Sequence, residues 1–446
     1  MKTDTGKYPL IEFAEAEKKL LLQIIDGDRG LNYPNKTEMS PNGYCLFLNT
    51  SNIKNDTFDL SSGEYITLEK DLKLRKGKLI KKDIVLTTRG TVGSVAHYKK
   101  TINQEQLRIN SGMVILRVSH GLDDNYFYQV VKSDFLKSQF YLFGSGSAQP
   151  QLPIKDLRKI SFPYPPRPIQ RKIAAVLSAY DDLIENNNRR IAILEKMAEE
   201  LYREWFVRLR FPGHEKTKIT KGVPEGWEVK TLGEICFEER NLIKKKNISD
   251  ETRYIGLEHI SPRTIITKDY GYAVDIQSDK LVFSQLDILF GKIRPYLHKV
   301  SIAHFNGVCS SDIIVIKSIR PENQAFVYLI VSSNSFIDLA TTASTGTKMP
   351  RADWDFLIKQ KIIYPEIGIL KQFQKIFDNS LSAIFNYQKR NEMLQHSRDR
   401  LLSRLMSGKI DVEHLDIALP KSMMNEANAD LVEAPDSMME DAAAHA

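Results

Sequence analysis

The sequence is poor in cysteine and has no long hydrophobic run, and both absences exclude classes of protein. Cys45, Cys236 and Cys309 are the only cysteines, and no two of them have a CxxC spacing. Neither a zinc site nor a disulfide framework is therefore expected. No apolar run reaches the roughly 18 residues that a membrane span needs, and the N-terminus lacks the apolar core of a signal peptide. We therefore expect a cytoplasmic protein.

The charges are unevenly distributed, and the basic excess is larger than the total suggests. The formal net charge is +7, but residues 411–446 hold nine acidic residues and one lysine. The rest of the chain therefore carries +15, from 62 basic and 47 acidic residues. Because lysine and arginine neutralise phosphates and release counterions, this excess is a modest argument for a nucleic-acid partner.

The chain contains an internal repeat with an offset of 200 residues. Residues 111–205 and 311–405 align without a gap and are identical at 16 of 95 positions, whereas average amino-acid usage predicts roughly six. Each copy has the same order of parts: a strand-rich region, a short helix, a polar loop, a proline-bearing strand and a long closing helix. Two copies of one folding unit are therefore predicted.

Each closing helix has an apolar seam with heptad-like spacing. Apolar residues recur at steps of three and four over about 39 residues in each copy, a pattern typical of a coiled coil. Neither helix could bury its seam alone, so we expect the two to pack together, antiparallel; the alternative is that each packs only on its own domain. Asn187 is a candidate for a polar residue that fixes the register. The seam positions that we expect between the helices are Ile173, Tyr180, Asn187, Leu194, Leu201, Phe373, Tyr387, Leu394 and Leu401.

Several stretches resemble the specificity subunits of type I restriction-modification enzymes. LEKMAEELYREWFVRLRFPGHE at 194–215 resembles the end of that family's central helix, and VPEGWEVKTLGEIC at 223–236 resembles the opening of its recognition domains. Further similar stretches are DGDRGLNYP at 26–34, LTTRGTVGSVAHY at 86–98, YIGLEHIS at 254–261 and LLSRLMSGKI at 401–410. Together with the repeat, the resemblance covers nearly all of residues 10–410, although the first copy lacks the PxGW opening.

The resemblance implies an α+β fold in which two homologous target-recognition domains are joined by two long antiparallel helices, with internal pseudo-twofold symmetry. Each domain would read one half of a split sequence in double-stranded DNA. The helices would act as the spacer and as the docking surface for two methyltransferase subunits; whether restriction or translocase subunits also bind is left open. The adenine methyltransferase and ATP-dependent endonuclease activities, with S-adenosylmethionine, ATP and magnesium, would then belong to the partners, and this chain would hold no cofactor.

The repeat and the resemblance together predict six segments. They are a first target-recognition domain at 1–165, a first long spacer helix at 166–210, a linker at 211–225, a second target-recognition domain at 226–366, a second long spacer helix at 367–410, and an acidic, disordered tail at 411–446.

The residues themselves favour a chain without a catalytic centre. A DNA amino-methyltransferase needs a DPPY-like tetrapeptide, and the nearest stretch, FPYPP at 162–166, has no Asp, Asn or Ser before its prolines. No GxxxxGKS/T phosphate loop occurs, and the nine histidines include no HxxxH pair. We expect no catalytic, cofactor-binding or metal-binding residue. Two alternatives stay open: a self-contained DNA methyltransferase or nuclease with unrecognised motifs, and a coiled-coil scaffold that binds DNA without sequence preference.

Two loops that follow matching strands are the first candidate DNA-reading elements. Sequence readout requires side chains that reach base edges, with arginine or lysine bonding guanine and asparagine or glutamine bonding adenine. The loops differ in sequence while their scaffolds match, as two readers of different half-sites would; hairpin turns with solvated charges are the alternative. The predicted DNA contacts are Thr87, Thr88, Arg89 and Thr91 in the first copy, and Lys292, Arg294 and Tyr296 in the second.

A second pair of loops, at 145–151 and 345–351, carries hydroxyl, amide and basic residues at matching positions. Ser147 and Thr347 suit phosphate contacts, whereas Gln149 and Lys348 suit contacts to bases or to the backbone. A purely structural loop before a strand is the alternative. The predicted DNA contacts here are Ser145, Ser147, Gln149, Thr345, Thr347 and Lys348.

Overall fold

A computed structural model describes residues 7–54, 56–60, 63–144, 151–344, 349–420 and 423. The chain forms two compact units. Unit 1 contains the residues up to Ile184 together with those from Met393 onward, and unit 2 contains Glu185 to Glu392. Both long helices are thus divided between the units, because their boundaries fall inside them. Each unit is described by itself below.

Unit 1 contains the following elements in chain order: β1 (Leu10–Glu12), α1 (Phe13–Lys18), β2 (Leu22–Asp26), β3 (Cys45–Leu48), β4 (Ile53–Lys54), β5 (Thr57–Phe58), β6 (Glu64–Ile66), α2 (Leu68–Lys73), β7 (Ile84–Thr87), β8 (Val95–His97), β9 (Leu107–Ile109), β10 (Met113–Val118), α3 (Asp124–Val131), α4 (Asp134–Phe143), α5 (Ile154–Leu157), β11 (Ser161–Pro163) and the first half of α6 (Arg167–Tyr202). The last turns of the second long helix complete it.

Unit 2 takes the second half of α6, which ends in a wider π turn at Arg203–Val207. Its further elements are β12 (Ile219–Thr220), β13 (Val223–Pro224), β14 (Glu228–Thr231), β15 (Cys236–Glu238), β16 (Leu242–Ile243), β17 (Arg253–Ile255), β18 (Gly271–Tyr272), β19 (Lys280–Phe283), β20 (Ile288–Gly291), β21 (Val300–Ile302), β22 (Gly307–Cys309), β23 (Ile313–Ser318), α7 (Gln324–Val331), α8 (Asn334–Thr342), α9 (Trp354–Leu357), β24 (Lys361–Tyr364) and the first half of α10 (Ile367–Met406).

A four-stranded antiparallel sheet lies at the centre of each unit. The strand order is β2-β10-β7-β8 in unit 1 and β15-β23-β20-β21 in unit 2. Both faces are covered: Val85 packs in one apolar cluster, whereas its neighbours Ile84 and Leu86 pack in the cluster on the other side. Leu289 and its neighbours divide in the same way. The inner strands β7 and β20 read as nearly continuous apolar runs because both of their faces are buried.

A smaller sheet covers one face of each central sheet. It has the order β6-β3-β9 in unit 1 and β16-β19-β22-β17-β18 in unit 2, so unit 2 has two additional strands. Each smaller sheet contains one parallel pair, β3 with β9 in unit 1 and β17 with β22 in unit 2. The short strands β1 and β14 pair with β11 and β24, the strands that precede the long helices.

The structure confirms the predicted repeat. The pairs α3 and α7, α4 and α8, and α5 and α9 each begin 200 residues apart, as do α6 and α10. Even the helix caps repeat, because the hydroxyls of Ser133 and Ser333 accept from the backbone N–H of Leu136 and Phe336 respectively. Two homologous α+β units are therefore present.

The two long helices pack antiparallel, as predicted. They have 36 and 40 residues, close to the predicted length. In unit 1 the start of α6 shares an apolar cluster with the end of α10, through residues such as Ile173 and Leu405. In unit 2 the end of α6 shares a cluster with the start of α10, through residues such as Trp205 and Phe373. The alternative, in which each helix packs only on its own domain, is wrong.

The predicted seam positions differ in how deeply they are buried between the helices. Ile173, Asn187 and Phe373 are buried, and Leu194, Leu201, Tyr387 and Leu401 are partly buried against the two clusters. Tyr180 and Leu394 are half-buried and belong to neither cluster among the described residues. The heptad pattern therefore identified the face of each helix that makes contact, but it did not predict how deeply each seam residue is buried.

The predicted disordered tail is wrong for its first ten residues. Val412 is buried in the apolar cluster of unit 1, and Ile417 and Leu419 pack against the same cluster. The acidic residues also have a partner, since Lys7 Nζ lies 2.7 Å from Asp411 Oδ2 and 3.1 Å from Glu413 Oε2. This segment binds the beginning of the chain, which sequence composition alone does not reveal.

The predicted linker at 211–225 is folded as well. Phe211 is buried and stacks on Trp227 with ring centroids 4.7 Å apart, and β12 and β13 form a small hairpin. No single helix among the described residues is long and apolar enough to cross a membrane; one bent pair, Pro321–Val331 with Asn334–Thr342, meets the limits of length and composition when the two helices are counted together.

We predict that Phe206→Ala destabilises unit 2 by about 3–5 kcal/mol, because a buried aromatic side chain would be replaced by a cavity. The Phe206 ring lies 4.8 Å from the ring of Phe373 and 4.9 Å from that of Phe326. Denaturant unfolding followed by fluorescence measures the change. Phe237→Ala, at an exposed position, is the control and should cost less than about 0.5 kcal/mol. Equal effects of the two changes would contradict this account of the core.

Candidate nucleic-acid interface

In unit 1 three separate segments meet where β7 ends. The backbone N–H groups of Thr88 and Arg89 donate to the Gly112 carbonyl, at 2.8 and 3.2 Å. The Leu152 N–H donates to the Thr88 carbonyl at 2.9 Å. We call the segments 88–91, 110–112 and 151–152 the unit 1 edge. Its loops are fixed by backbone hydrogen bonds, so their side chains can vary without loss of the scaffold.

Unit 2 repeats this arrangement with different side chains. The Lys292 N–H donates to the Asp312 carbonyl at 2.8 Å, and the Ala352 N–H donates to the Lys292 carbonyl at 2.9 Å. The Arg294 N–H adds a bond to the Pro350 carbonyl at 2.8 Å. We call the segments 292–297, 310–312 and 351–352 the unit 2 edge.

The two edges correspond in a register that the sequence did not reveal. Because Thr88 and Lys292 make the same two backbone bonds, Arg89 corresponds to Ile293, and Gly90 corresponds to Arg294. Gly90 and Arg294 also share a left-handed backbone, with φ of 72° and 51°. Arg89 and Arg294, the two arginines predicted to contact DNA, therefore stand one residue apart in this register.

Thr87 and Thr88 are corrections to the predicted DNA contacts. Their exposed fractions are 0% and 4%, and their hydroxyls bond the backbone of the same edge. The Thr87 hydroxyl donates to the Thr91 carbonyl and accepts from the Ser94 N–H, and the Thr88 hydroxyl donates to the Gly112 carbonyl at 3.1 Å. Both residues hold the loop in shape and cannot reach a base from these positions.

The remaining predicted residues at the two edges are accessible. Arg89, Thr91 and Arg294 are exposed, and Lys292 is half-buried. Neither arginine forms an ion pair with a carboxylate among the described residues. Tyr296, with an exposed fraction of 54%, lies in a short turn between Arg294 and His298. These side chains stay predictions as DNA contacts, but their position permits the role.

The turn that presents Tyr296 is anchored at His298. His298 has a left-handed backbone with φ of 54°, which is unusual for a residue other than glycine. Its ring Nε2 lies 2.6 Å from the Ser332 carbonyl, a distance that requires a protonated Nε2. Burial and the nearby Arg263 lower the pKa of this histidine, so its ring is neutral at neutral pH. The backbone geometry at this edge is thus fixed before any ligand binds.

Arg351 is a residue of this edge that we did not select from the sequence. It is exposed and pairs weakly with Asp312, with Nη2 and Oδ1 3.8 Å apart. The backbone of Arg351 forms an antiparallel β-bridge with that of Ile293, and Gln151 forms the equivalent β-bridge with Arg89. The repeat could have indicated Arg351 from the sequence, because its offset of 200 residues aligns Arg351 with Gln151.

Six predicted contacts lie outside the described residues. They are Ser145, Ser147, Gln149, Thr345, Thr347 and Lys348.

The described residues contain no group of three or more His, Cys, Asp or Glu side chains placed to hold a metal ion. All three cysteines are buried, and burial raises the pKa of each thiol to about 12. Such thiols stay protonated at neutral pH and are poor nucleophiles. The exposed arginines at the two edges, Arg89, Arg294 and Arg351, offer hydrogen-bond donors and positive charge.

Two homologous units, each with a rigid edge of different exposed side chains, define a two-part recognition protein. Comparison with known proteins identifies its kind: the family described as type I restriction modification DNA specificity domain matches residues 17–196 and 224–395. The chain belongs to this family. It functions as the specificity subunit of a type I restriction-modification system.

Individual relatives are similar over most of their length. The type I restriction enzyme MjaIX specificity subunit of Methanocaldococcus jannaschii is 29% identical over 429 residues, which are 93% of this chain and 97% of that protein. The EcoDI specificity subunit of Escherichia coli is 26% identical over 263 residues, 52% of this chain and 59% of that protein. The solved S subunit of a type I system from M. genitalium has a TM-score of 0.50 at 16% identity, covering 91% and 98% of the two chains, and resembles this chain in fold.

We predict that Arg89→Ala weakens recognition of one half-site and Arg294→Ala that of the other, each by about 1–3 kcal/mol if the guanidinium bonds a base. Binding of the assembled complex to duplexes with single base changes in either half-site measures this. Arg240→Ala is the control, because Glu238 already neutralises that arginine at 2.6 Å. Equal weakening on every sequence would instead assign the arginine to a phosphate.

Proposed function

We propose that each unit reads one half of a bipartite sequence in double-stranded DNA through its edge. The observation that carries the proposal is the pairing of a conserved backbone scaffold with different exposed side chains. Arg89 and Gln151 stand at the unit 1 edge where the buried Ile293 and the exposed Arg351 stand at the unit 2 edge, and Gly90 stands where unit 2 presents the exposed Arg294. Arginine bonds guanine in the major groove, and glutamine bonds adenine, so the two edges suit different half-sites.

The helices α6 and α10 are the proposed spacer and docking surface for two methyltransferase subunits. Ile193 and Met393 occupy equivalent positions of the repeat, and both are about 60% exposed despite being large and apolar. Identical subunits need equivalent surfaces, and these two positions offer them, one in each unit. A restriction or translocase subunit is a further partner that the family resemblance leaves open.

The chemistry is proposed to belong to the partners. S-adenosylmethionine would bind the methyltransferase subunits, and ATP and magnesium would serve the restriction subunits. This chain would supply position: it would hold a methyltransferase over each half-site, in the cytoplasm where the DNA lies.

We predict that the purified chain binds DNA weakly and transfers no methyl group, and that methylation appears when the methyltransferase subunits and S-adenosylmethionine are added. The physical reason is that the chain supplies basic side chains but no base-holding or cofactor-binding motif. Incorporation of labelled methyl groups into DNA measures it. Methyl transfer by the single chain would overturn the assignment of catalysis to partners.

We also predict that Ile193→Asp and Met393→Asp each weaken assembly with the methyltransferase by about tenfold or more, because a charge in the centre of an apolar contact must be desolvated. Titration followed by light scattering or sedimentation measures the complex. Leu20→Asp is the control, since Leu20 is also a large apolar residue, 80% exposed, but lies outside both helices. If the control weakens assembly as much, docking does not use these helix positions.

A further inference from the structure

A network of charged and polar side chains is buried in unit 1, where three helices meet. Asp181 of α6 accepts from Nζ of Lys132, which directly follows α3, at 2.8 and 3.0 Å and from Gln129 Nε2 of α3 at 2.6 Å. Arg398 Nη1 of α10 donates to the same carboxylate at 2.7 Å. The side chain of Lys132 is only 3% exposed, and those of Asp181 and Arg398 are 15% and 13% exposed.

The charges of this network depend on one another. Burial opposes ionisation of Asp181, but Lys132 and Arg398 outweigh it and hold the pKa of the carboxyl below its usual value. Burial lowers the pKa of Lys132, and the attraction of Asp181 only partly offsets that effect. Removal of the aspartate would therefore leave two cations with little water around them.

Unit 2 has no such network at the equivalent positions. The repeat aligns Gln129 with Leu329, Lys132 with Ser332 and Asp181 with Leu381, and it aligns Arg398 with Ala198. Leu329, Leu381 and Ala198 are buried there in the apolar cluster. The same fold is thus built at this place with three apolar residues and an uncharged serine, so folding does not require the charges.

Stability is a weak reason for such a network, because replacing buried ion pairs by well-packed apolar residues is often neutral or stabilising. Register is a better reason. An apolar seam with heptad spacing regains nearly the same contacts after a slide of one heptad, about 10 Å along the helix. A slide of α10 along α6 would instead separate Arg398 from Asp181 and leave buried charges unpaired.

We propose that Asp181, Lys132 and Arg398 fix the axial register of α10 against α6 and thereby the number of base pairs in the gap between the two half-sites. They act as positioning residues and touch no DNA. The inference rests on the proposed function, in which the helices form the spacer. A slide of one heptad would correspond to roughly three base pairs, at 3.4 Å for each.

Unit 2 has its own, weaker contact of this kind. Asn187 Nδ2 donates to Asn391 Oδ1 at 2.8 Å, and Asn391 Nδ2 donates to Asn188 Oδ1 at 2.9 Å. Amide pairs in a seam favour one register, as we expected for Asn187. They are uncharged, so a shifted register costs less there than at the ionic network.

The test replaces the network by the residues that unit 2 uses, in the variant Gln129→Leu, Lys132→Ser, Asp181→Leu, Arg398→Ala. Half-sites are first mapped by sequencing methylated DNA from cells with the wild-type chain. The assembled methyltransferase complex is then assayed on duplexes that keep both half-sites and vary the gap by up to three base pairs either way. Thermal unfolding of the same preparations reports stability separately.

We expect the variant to unfold near the wild-type temperature, to keep both half-sites, and to lose about tenfold or more of its preference for the native gap. Asp399→Ala is the matched control: it removes the exposed partner of Arg398, 2.9 Å away, and leaves the bond to Asp181. The control should keep the wild-type gap preference.

A second variant keeps the inference testable if the fourfold change fails to fold. Arg398→Met preserves most of the volume and leaves Asp181 paired with Lys132, and it should relax the gap in the same direction. A folded variant with the wild-type gap preference would overturn the inference. A wild-type complex that methylates no two-part site would instead refute the proposed function, so the two failures are distinguishable.

Discussion

The structure depends on one constraint: neither long helix can bury its own apolar seam. Each half of α6 therefore packs against the opposite half of α10, so that unit 1 needs residues from both ends of the chain. The segment after α10 is folded because it packs on the same apolar cluster that buries the helix ends in unit 1. Val412 fills the unit 1 cluster, and Asp411 pairs with Lys7, so the two chain segments of the unit also contact each other through an ion pair.

The shared helices make the two units alike in scaffold and leave them free to differ in detail. Both central sheets have the same strand order and are buried on both faces. Both edges are held by backbone hydrogen bonds, which do not depend on side-chain identity. A hydroxyl residue such as Thr88 can therefore stand where unit 2 has Lys292, and a recognition surface can change without disturbing the core.

The same freedom extends to the interior. Unit 1 has an ionic network at the junction of three helices, whereas unit 2 has leucine, serine and alanine at the aligned positions. Both copies fold, one with charged and one with uncharged residues at these positions, so the charges are not needed for the fold itself. Burial of apolar surface is required in both copies, and the charged contacts of unit 1 add specificity of pairing.

Much of the fold followed from the sequence, because the relevant patterns are local. The offset of 200 residues, the heptad spacing and the continuous apolar strands identified two α+β units and two antiparallel helices. The family resemblance added the function, and the edge loops after β7 and β20 were located as well.

Only the tertiary structure decided which side chains those loops present. The loop between β20 and β21 is one residue longer than that between β7 and β8. Bonds to residues distant in sequence set the register of each loop: Gly112 and Leu152 in unit 1, and Asp312 and Ala352 in unit 2. Thr87 and Thr88 turn inward because their hydroxyls bond backbone groups of the same edge. In the same way, Asp181 and Arg398 are 217 residues apart in sequence and meet only in the folded structure. Contacts between residues remote in sequence leave no periodic signal, whereas helices, strands and repeats do.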